Sequence, residues 1–235
     1  MVVVVLAIAA SSVISVSAFA GNGVDMIYDR ATWAVGTGWA SQQVNTNSYV
    51  SLAPDAMYGL RFYAARSGGG GEFIHCISFP DLWSIQQMNT NTYSLVAPDS
   101  TYSTRCMAAG PGGADFVYDG VGGWPTVNRT TNLYTAFVAD ANYGRAWGTR
   151  AGGLDLVYEG GTLQASTNTY VALASDATTS SRVYGARVGG GLDVIYNAGG
   201  WKVTSVNSNT YVALAGDSQT ANRLYGARAG GGLDL

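Results

Sequence analysis

Short runs of the chain alternate apolar and polar residues with a period of two, and these runs end at clusters of glycine. Arg182–Arg187 (RVYGAR) has this alternation, which is typical of a β-strand with two differently occupied faces. Gly189–Gly191 follow, and glycine tolerates the positive φ angles that a tight chain reversal requires. Leu192–Tyr196 then forms an apolar run rich in β-branched residues. Together these residues predict a β-hairpin.

Altered copies of this hairpin recur along the chain with the same flanking segments. Each copy is followed by a further strand, which most copies begin with an aromatic residue: Trp39, Trp83, Trp124 and Trp201. A strand that starts at tyrosine and is followed by aspartate comes next, and its tyrosines are Tyr49, Tyr93, Tyr134, Tyr170 and Tyr211. These tyrosines are 44, 41, 36 and 41 residues apart. Four short strands in about 40 residues, with no helical pattern, are typical of a propeller blade.

The repeats predict an all-β fold, a β-propeller of about five four-stranded blades over residues 21–235. Trp124 precedes Pro125, and proline cannot donate to a β-ladder, so we expect the Trp-led strand to be outermost and the Tyr-led strand innermost. The chain starts with a third and a fourth strand and stops within a third strand at Leu235. We expect the N-terminal pair to complete the last blade and close the ring. A natural chain that continued past Leu235 would allow six or seven blades.

Residues 1–20 (MVVVVLAIAASSVISVSAFA) form an apolar segment that ends in the small-x-small pattern of a signal-peptidase site. The basic residue expected near the start of a signal peptide is missing. We predict a signal peptide and a secreted or extracellular mature protein. A buried strand is the alternative. A membrane span is disfavoured because four serines interrupt the run and no positive flank marks a cytoplasmic side.

Composition narrows the classes of partner. Hydrophobic residues make up 47% of the chain, which is ample for one core, whereas charged residues make up only 11%. The net charge is −3 and Lys202 is the only lysine, so the chain has no basic surface for a phosphate backbone. Cys76 and Cys106 fall in neighbouring repeats and do not form a metal motif, and geometry decides whether they pair. The single histidine, His75, fits a packed or surface residue better than a ligand.

The acidic residues follow the repeat, which argues against catalysis. Six share the position after the glycine turn: Asp25, Glu72, Asp115, Asp155, Asp193 and Asp234. Five follow the Tyr-led strand: Asp55, Asp99, Asp140, Asp176 and Asp217. Asp29, Asp119 and Glu159 share a third position, and Asp81 alone lies outside the pattern. A glycosidase needs two carboxylates in distinct environments, which would leave acids that break the repeat. The sequence also lacks a nucleophile elbow and a phosphate-binding loop. We therefore predict a non-enzymatic protein without cofactor or metal, with a hydrolase as a third reading.

The arginines are also tied to the repeat. One set opens the second strand of each blade, at Arg61, Arg105, Arg145, Arg182 and Arg223, and another closes it, at Arg66, Arg150, Arg187 and Arg228. The favoured interpretation is structural: arginine and aspartate pair, or cap turn carbonyls, and so join the blades. The functional interpretation is a set of equivalent pockets, in which these charges orient sugar hydroxyls and an aromatic ring covers the apolar face of the sugar.

The pattern Arg-x-Tyr, followed ten or eleven residues later by an acid and then by Trp on the next strand, resembles the blade of fucose-binding propeller lectins. The five-repeat plan is also similar to tachylectin-like propellers. The resemblance implies extracellular carbohydrate binding at sites between the blades, with glycans or glycoproteins as partners. It assigns hydrogen bonds with the sugar to Arg61, Glu72, Arg105, Asp115, Arg145, Asp155, Arg182, Asp193, Arg223 and Asp234. Trp83, Trp124 and Trp201 would stack on the sugar. The alternative is a structural or protein-interaction propeller without a small-molecule site.

Overall fold

The computed structural model of the chain describes residues 16–17, 23–29, 38–55, 58, 60–78, 82–141, 144–176, 178–217 and 220–235. Within these ranges every regular element is a β-strand and there is no helix. No helix long and apolar enough to cross a membrane therefore occurs in the same ranges. The predicted all-β class is confirmed.

Four blades are complete four-stranded antiparallel sheets. The first blade comprises β4 (Tyr49–Pro54), β5 (Arg61–Arg66), β6 (Gly71–Ser78) and β7 (Leu82–Asn89). The second comprises β8 (Leu95–Pro98), β9 (Arg105–Gly110), β10 (Gly113–Tyr118) and β11 (Thr126–Thr130). The third comprises β12 (Ala136–Ala139), β13 (Ala146–Arg150), β14 (Gly153–Tyr158) and β15 (Gly161–Ser166). The fourth comprises β16 (Tyr170–Ser175), β17 (Arg182–Arg187), β18 (Leu192–Asn197) and β19 (Trp201–Asn207).

The order of strands within a blade follows the order in the chain, and the blades stand around a common axis. The first strand of each blade contacts the first strand of the next, β4 with β8, β8 with β12, β12 with β16, and β16 with β20 (Tyr211–Gly216). The strands that begin at or near tyrosine are therefore innermost and the Trp-led strands are outermost, as the proline after Trp124 predicts. This arrangement is a β-propeller, which confirms the predicted fold.

The two ends of the chain supply the parts of the fifth blade. β20, β21 (Leu224–Arg228) and β22 (Leu233–Asp234) form a three-stranded sheet, and β2 (Val24–Asp29) and β3 (Trp39–Asn45) form a two-stranded one. The two sheets share no β-ladder in the described residues. The reason is that β22 and β2 are copies of the same third strand, so each sheet already contains one. β2 and β3 instead pack through Val24 and Val44 against the first blade.

A short strand, β1 (Val16–Ser17), pairs with Leu52 and Ser51 of β4 on the inner edge of the first blade. It is the described part of residues 1–20, and the rest of the predicted signal peptide lies outside the described residues. The signal peptide therefore stays a prediction.

The core is a series of apolar clusters between successive blades. One cluster joins Trp147 and Leu154 of the third blade to Tyr170 and Ile195 of the fourth, and all four side chains are almost fully buried. In three of the sheets a glycine of the second strand lies directly against the ring of the innermost tyrosine. A Cβ atom on Gly185 would come within 2.4 Å of the ring of Tyr170, so glycine at this position makes room for the tyrosine.

Candidate functional site

Each blade presents two ends, which we name by the innermost strand. The tyrosine face is the end where the innermost strands begin, at Tyr49, Tyr93, Tyr134, Tyr170 and Tyr211. The aspartate face is the end where these strands finish, at Asp55, Asp99, Asp140, Asp176 and Asp217. Because successive strands are antiparallel, the arginine that opens the second strand lies at the aspartate face and the arginine that closes it lies at the tyrosine face.

On the aspartate face two of the aspartates form buried links to the next blade. Asp140 is fully buried and accepts hydrogen bonds from Trp147 Nε1 (3.0 Å) and Arg145 Nη2 (3.2 Å) of its own blade. It also accepts one from the backbone N–H of Ser181 in the fourth blade (2.9 Å). Asp176 receives the backbone N–H of Asn222 in the same way (3.0 Å). These contacts are the structural pairing that the sequence analysis favours for the opening arginines.

On the tyrosine face a second network lies within each blade. In the third blade Asp155 accepts hydrogen bonds from Tyr134 (3.1 Å), Asn132 (2.8 Å) and the Nε of Arg150 (2.7 Å). Burial, and next the negative charge of Asp155, raise the pKa of Tyr134. The same set of an asparagine, a tyrosine and an acid recurs in the other blades.

The predicted arginine–acid pairs are therefore separated. Asp193 lies opposite Gly185, three residues along β17 from Arg182, which is about 10 Å at the rise of a strand. Arg182 pairs with Asp176 and Asp193 pairs with Arg187, at opposite faces. The other predicted pairs follow the same registers of the second and third strands: Arg61 with Glu72, Arg105 with Asp115, Arg145 with Asp155, and Arg223 with Asp234.

The three predicted stacking tryptophans pack against neighbouring side chains. Trp124 is buried with its ring 5.3 Å from that of Phe73 in the first blade. Trp201 meets Trp147 edge to face at 5.2 Å, and Trp83 lies 6.1 Å from Phe62. Their sugar-binding role stays a prediction.

The outer hairpin of every blade contains a β-bulge, and the bulge of the second blade is different. Where Ala114 pairs with Thr130 and Asp115 pairs with Asn128, Arg129 is the extra residue. The extra residue at the same step is apolar in the four other outer hairpins: Val44, Met88, Ala165 and Val206. Three of these, Val44, Met88 and Ala165, pack into the cluster with the next blade. Arg129 thus places a guanidinium where the repeat otherwise places an apolar contact.

A groove with a volume of about 310 Å³ lies at this bulge, between the second and third blades. We call it the Arg129 groove. Its lining residues are Tyr102, Thr104, Arg105, Phe116, Tyr118, Asp119, Val127, Arg129 and Glu159. The volume is at the lower end of the range for small-molecule sites, which is about 300–1,000 Å³.

Local structure fixes the side chains of the groove. The turn after β8 is held by Asp99, whose Oδ1 accepts the backbone N–H groups of Thr101 (2.7 Å) and Tyr102 (3.1 Å). The guanidinium of Arg105 lies over the ring of Tyr102 at 4.3 Å and donates a hydrogen bond from its Nε to Asp99 Oδ2. Tyr102, which is 57% exposed, thereby presents a supported ring to solvent.

The guanidinium of Arg129 lies over the ring of buried Phe116 at 5.2 Å, and that of Arg105 lies 5.4 Å from the same ring. The Nε of Arg129 is buried and has no hydrogen-bond partner. Asp119 and Glu159, at the ends of the third strands of two adjacent blades, make no ion pair within the described part of the chain. The groove therefore holds both donors and acceptors that a ligand can use.

The junction that follows Arg105 also differs from the next two. Arg145 bonds Ser181 Oγ (3.0 Å), and Arg182 bonds the side chain of Asn222, each in the following blade. The residue in the corresponding place after Arg105 is Gly144, which has no side chain to offer, and a Cβ there would meet Arg105 Nη2 at 1.9 Å. The three junctions therefore differ in the contacts that the opening arginine makes with the following blade.

Of the polar residues that line the groove, Arg105 alone is among the predicted site residues. Arg129 does carry a signal in the sequence. Between residues 38 and 235 it is the one arginine that belongs to neither of the two repeat positions. Asp119 and Glu159 repeat at one position and therefore gave no signal. Tyr102 and Tyr118 come close to Arg105 through a turn and the register of β9 with β10.

The remaining candidates for chemistry are packed or unpaired. Cys76 and Cys106 are free thiols and do not form a disulfide. Burial raises the pKa of the Cys106 thiol. His75 stacks on Phe73 at 5.2 Å. Across the described ranges no three His, Cys, Asp or Glu side chains are grouped so that they could hold a metal ion.

No family model and no curated protein matches the chain. Among solved structures it is similar to the Cps50 (Swd1) β-propeller domain of Myceliophteria thermophila, with a TM-score of 0.61 and 7% identity over 82% of this chain and 70% of that one. It is also similar to AofleA from Arthrobotrys oligospora, with a TM-score of 0.52 and 14% identity over 83% and 71% of the chains. A variant of AofleA, in which three equally spaced arginines are replaced by alanine, is similar with a TM-score of 0.50 and 14% identity over 83% of this chain and 72% of that one. By fold, the chain is a β-propeller.

Proposed function

We propose that this propeller is a non-enzymatic binding protein that takes a carbohydrate in the Arg129 groove. The observation that carries the proposal is the side chain of Arg129, which lies over Phe116 in an inter-blade groove and has an unbonded Nε. Arginine donors and carboxylate acceptors in one groove suit a ligand with many hydroxyls, because each hydroxyl both donates and accepts.

The charge and the aromatic rings of the groove favour a sugar over an ion. Two guanidiniums, of Arg105 and Arg129, line the same groove as the carboxylates of Asp119 and Glu159, so the groove does not carry charge of a single sign. Tyr102 and Tyr118 are partly exposed at its wall and offer faces on which the apolar side of a sugar ring can stack. The resemblance of the repeat to fucose-binding propeller lectins supports the same ligand class.

A propeller that serves only as a structural or protein-interaction scaffold is the second candidate. The ion pairs and buried links that occupy most of the repeat arginines favour it at the other junctions. This second hypothesis predicts that no glycan binds and that one face of the ring forms an interface with another protein.

The first experiment is a glycan-array screen of the purified protein, followed by inhibition of any signal with free monosaccharides. We expect one class of glycan to bind and a simple sugar to compete. We also expect the bound glycan to remain intact on incubation, because the proposal assigns no catalytic step. A correctly folded sample that binds no glycan would contradict the proposal, and cleavage of the glycan would indicate a hydrolase.

Arg129→Met is the matched variant for the site. Met88 occupies the same bulge position in the first blade and is buried there, so the substitution suits the fold while it removes the guanidinium. We expect Arg129→Met to lower glycan affinity at least about tenfold, as the loss of charge-assisted hydrogen bonds implies, without a loss of thermal stability. The control is Arg228→Met, which removes an exposed arginine on the tyrosine face. Equal affinity of Arg129→Met and the native protein would place the ligand elsewhere.

A further inference from the structure

Of the six acids at the start of the third strand, four are neutralised by an arginine, and two, Asp25 of β2 and Asp115 of the second blade, form no ion pair within the described residues. The four ion pairs are Arg66–Glu72 (3.5 Å), Arg150–Asp155 (2.7 Å), Arg187–Asp193 (3.4 Å) and Arg228–Asp234 (2.7 Å). In the second blade the acid is Asp115, and the position of the arginine is taken by Gly110.

Gly110 has a structural reason to be glycine. A Cβ atom there would lie 2.2 Å from the carbonyl oxygen of Thr92 and 3.0 Å from Cα of Tyr93. The backbone of the segment before β8 therefore passes directly over Gly110 and leaves no space for an arginine side chain at that position. The blade retains the carboxylate without the means to neutralise it from within.

A cavity of about 480 Å³ lies beside Asp115. We call it the Asp115 groove. It is on the tyrosine face, and its lining residues include Asn91, Tyr93, Pro111, Gly112, Asp115 and Asn128. At the corresponding position of the third blade the guanidinium of Arg150 lies against Asp155.

All the hydrogen bonds that Asp115 receives in the described part of the chain come from neutral groups. Its Oδ2 accepts from the Tyr93 hydroxyl (2.8 Å) and from Asn91 Nδ2 (3.2 Å), and its Oδ1 accepts from Asn128 Nδ2 (2.9 Å). No arginine or lysine among the described residues forms an ion pair with it. The groove is therefore lined by a negative charge that no cation among the described residues balances through an ion pair.

The third blade shows which cation this carboxylate position accommodates. The guanidinium of Arg150 donates from Nε to Asp155 Oδ2 (2.7 Å), from Nη2 to Oδ1 (3.1 Å) and from Nη1 to the carbonyl of Ala151 (3.3 Å). Pro111 takes the place of Ala151 in the second blade and also offers a carbonyl. The acceptors that hold the arginine in the third blade are thus present around the Asp115 groove.

We propose that the Asp115 groove binds a guanidinium group carried on an alkyl chain, supplied from outside the chain. Such a group replaces the missing arginine, because a planar guanidinium matches a carboxylate through two parallel hydrogen bonds. The group comes either from a free small molecule or from an arginine side chain of a peptide. This site shares no lining residue with the Arg129 groove, so each proposal can fail without the other.

The test is a titration of the full chain with methylguanidine, N-acetyl-L-arginine methylamide and the corresponding citrulline amide. Citrulline has a neutral urea in place of the guanidinium and is otherwise matched in shape. We expect binding of the arginine amide to be at least about tenfold tighter than binding of the citrulline amide, and to weaken as salt is added. Binding of methylguanidine as tight as that of the amide would indicate a free small molecule, whereas binding of the amide alone would indicate a peptide arginine.

Two further measurements locate the site. Asp115→Asn keeps an acceptor for Tyr93 and removes the charge, so we expect it to abolish binding, while the control Asp217→Asn retains it. In the native protein the side-chain amide resonances of Asn91 and Asn128, which bond Asp115, should shift on titration even if the Asp115→Asn variant fails to fold. Absence of binding at millimolar probe, equal binding of the citrulline amide, native-like binding by Asp115→Asn, or unshifted amides at saturation would each overturn the proposal.

Discussion

The link that Asp140 forms between the third and fourth blades can be tested by Asp140→Ala. The carboxylate is fully buried and accepts hydrogen bonds from Trp147 Nε1 (3.0 Å), Arg145 Nη2 (3.2 Å) and the backbone N–H of Ser181 (2.9 Å). Truncation to alanine leaves these donors without their acceptor. A buried unsatisfied donor costs about 1–3 kcal/mol, and removal of one partner of a buried ion pair costs about 3–5 kcal/mol. Because these contributions overlap, we expect a loss of about 3–5 kcal/mol in the free energy of unfolding.

The repeat supplies a matched control at Asp217, which occupies the same position in the last sheet. There the side chain is 13% exposed, and the paired Arg223 is 49% exposed, at an N–O distance of 3.6 Å. An exposed ion pair contributes about 0–1 kcal/mol, so we expect Asp217→Ala to cost about 1 kcal/mol or less. The assay is urea denaturation followed by tryptophan fluorescence, since Trp147 reports directly on the junction. Losses that agree within about 0.5 kcal/mol for the two variants, a typical error of additive comparisons, would refute the reasoning.

Two further predictions concern the innermost tyrosines. Gly185→Ala places a Cβ atom 2.4 Å from the ring of Tyr170 and should destabilise the fold by about 1–3 kcal/mol. The control is Gly230→Ala, where a Cβ atom meets open space, and it should change the free energy of unfolding by less than about 0.5 kcal/mol. Thermal melts in which both variants shift the melting temperature equally would contradict the close packing of Tyr170 against Gly185. Burial, together with the charge of Asp193, raises the pKa of Tyr170 from 10.0 to about 12, so the unfolded chain loses its phenolic proton first. The contribution of the neutral Tyr170 phenol to the free energy of unfolding should thus be fully present below pH 10 and should be lost as the pH rises toward about 12. A phenolate absorbance titration in which Tyr170 ionises near pH 10 in the folded protein would count against its burial.

The fold was predictable because each blade repeats its own turn chemistry. The Gly189–Gly191 turn fixes where the chain reverses, and the tyrosine spacing fixes how many strands separate one innermost strand from the next. Pro125 identifies the outermost strand, because a strand that lacks a donor is tolerated only at an edge. These signals are local in the chain, so they survive the divergence between repeats.

The contacts of the predicted site residues depend on the register of the strands, which the spacing in the sequence does not give. A turn at Gly189–Gly191 already places Arg182 opposite Tyr196 and Arg187 near Gly191, which separates Arg182 from Asp193. A spacing of ten or eleven residues places two side chains on adjacent strands but does not make them neighbours. The opening arginine and the third-strand acid therefore belong to two networks at opposite faces.

The two grooves occur where the second blade departs from the repeat. Arg129 stands at a bulge position that is apolar in the other hairpins, and Gly110 stands at a position that is arginine in the others. The residues shared by the repeats belong to the structural networks, since they maintain the blades. Residues that break the repeat are released from that role and are the more informative guide to a ligand site.

The measurement that tests the central claim most directly is a crystal structure of the protein with the monosaccharide that inhibits glycan binding. We predict electron density for the sugar in the Arg129 groove, with hydrogen bonds to Arg129 and to Asp119 or Glu159 and a ring stacked on Tyr102 or Tyr118. A sugar bound at another junction or on the tyrosine face, with the Arg129 groove empty, would contradict the account.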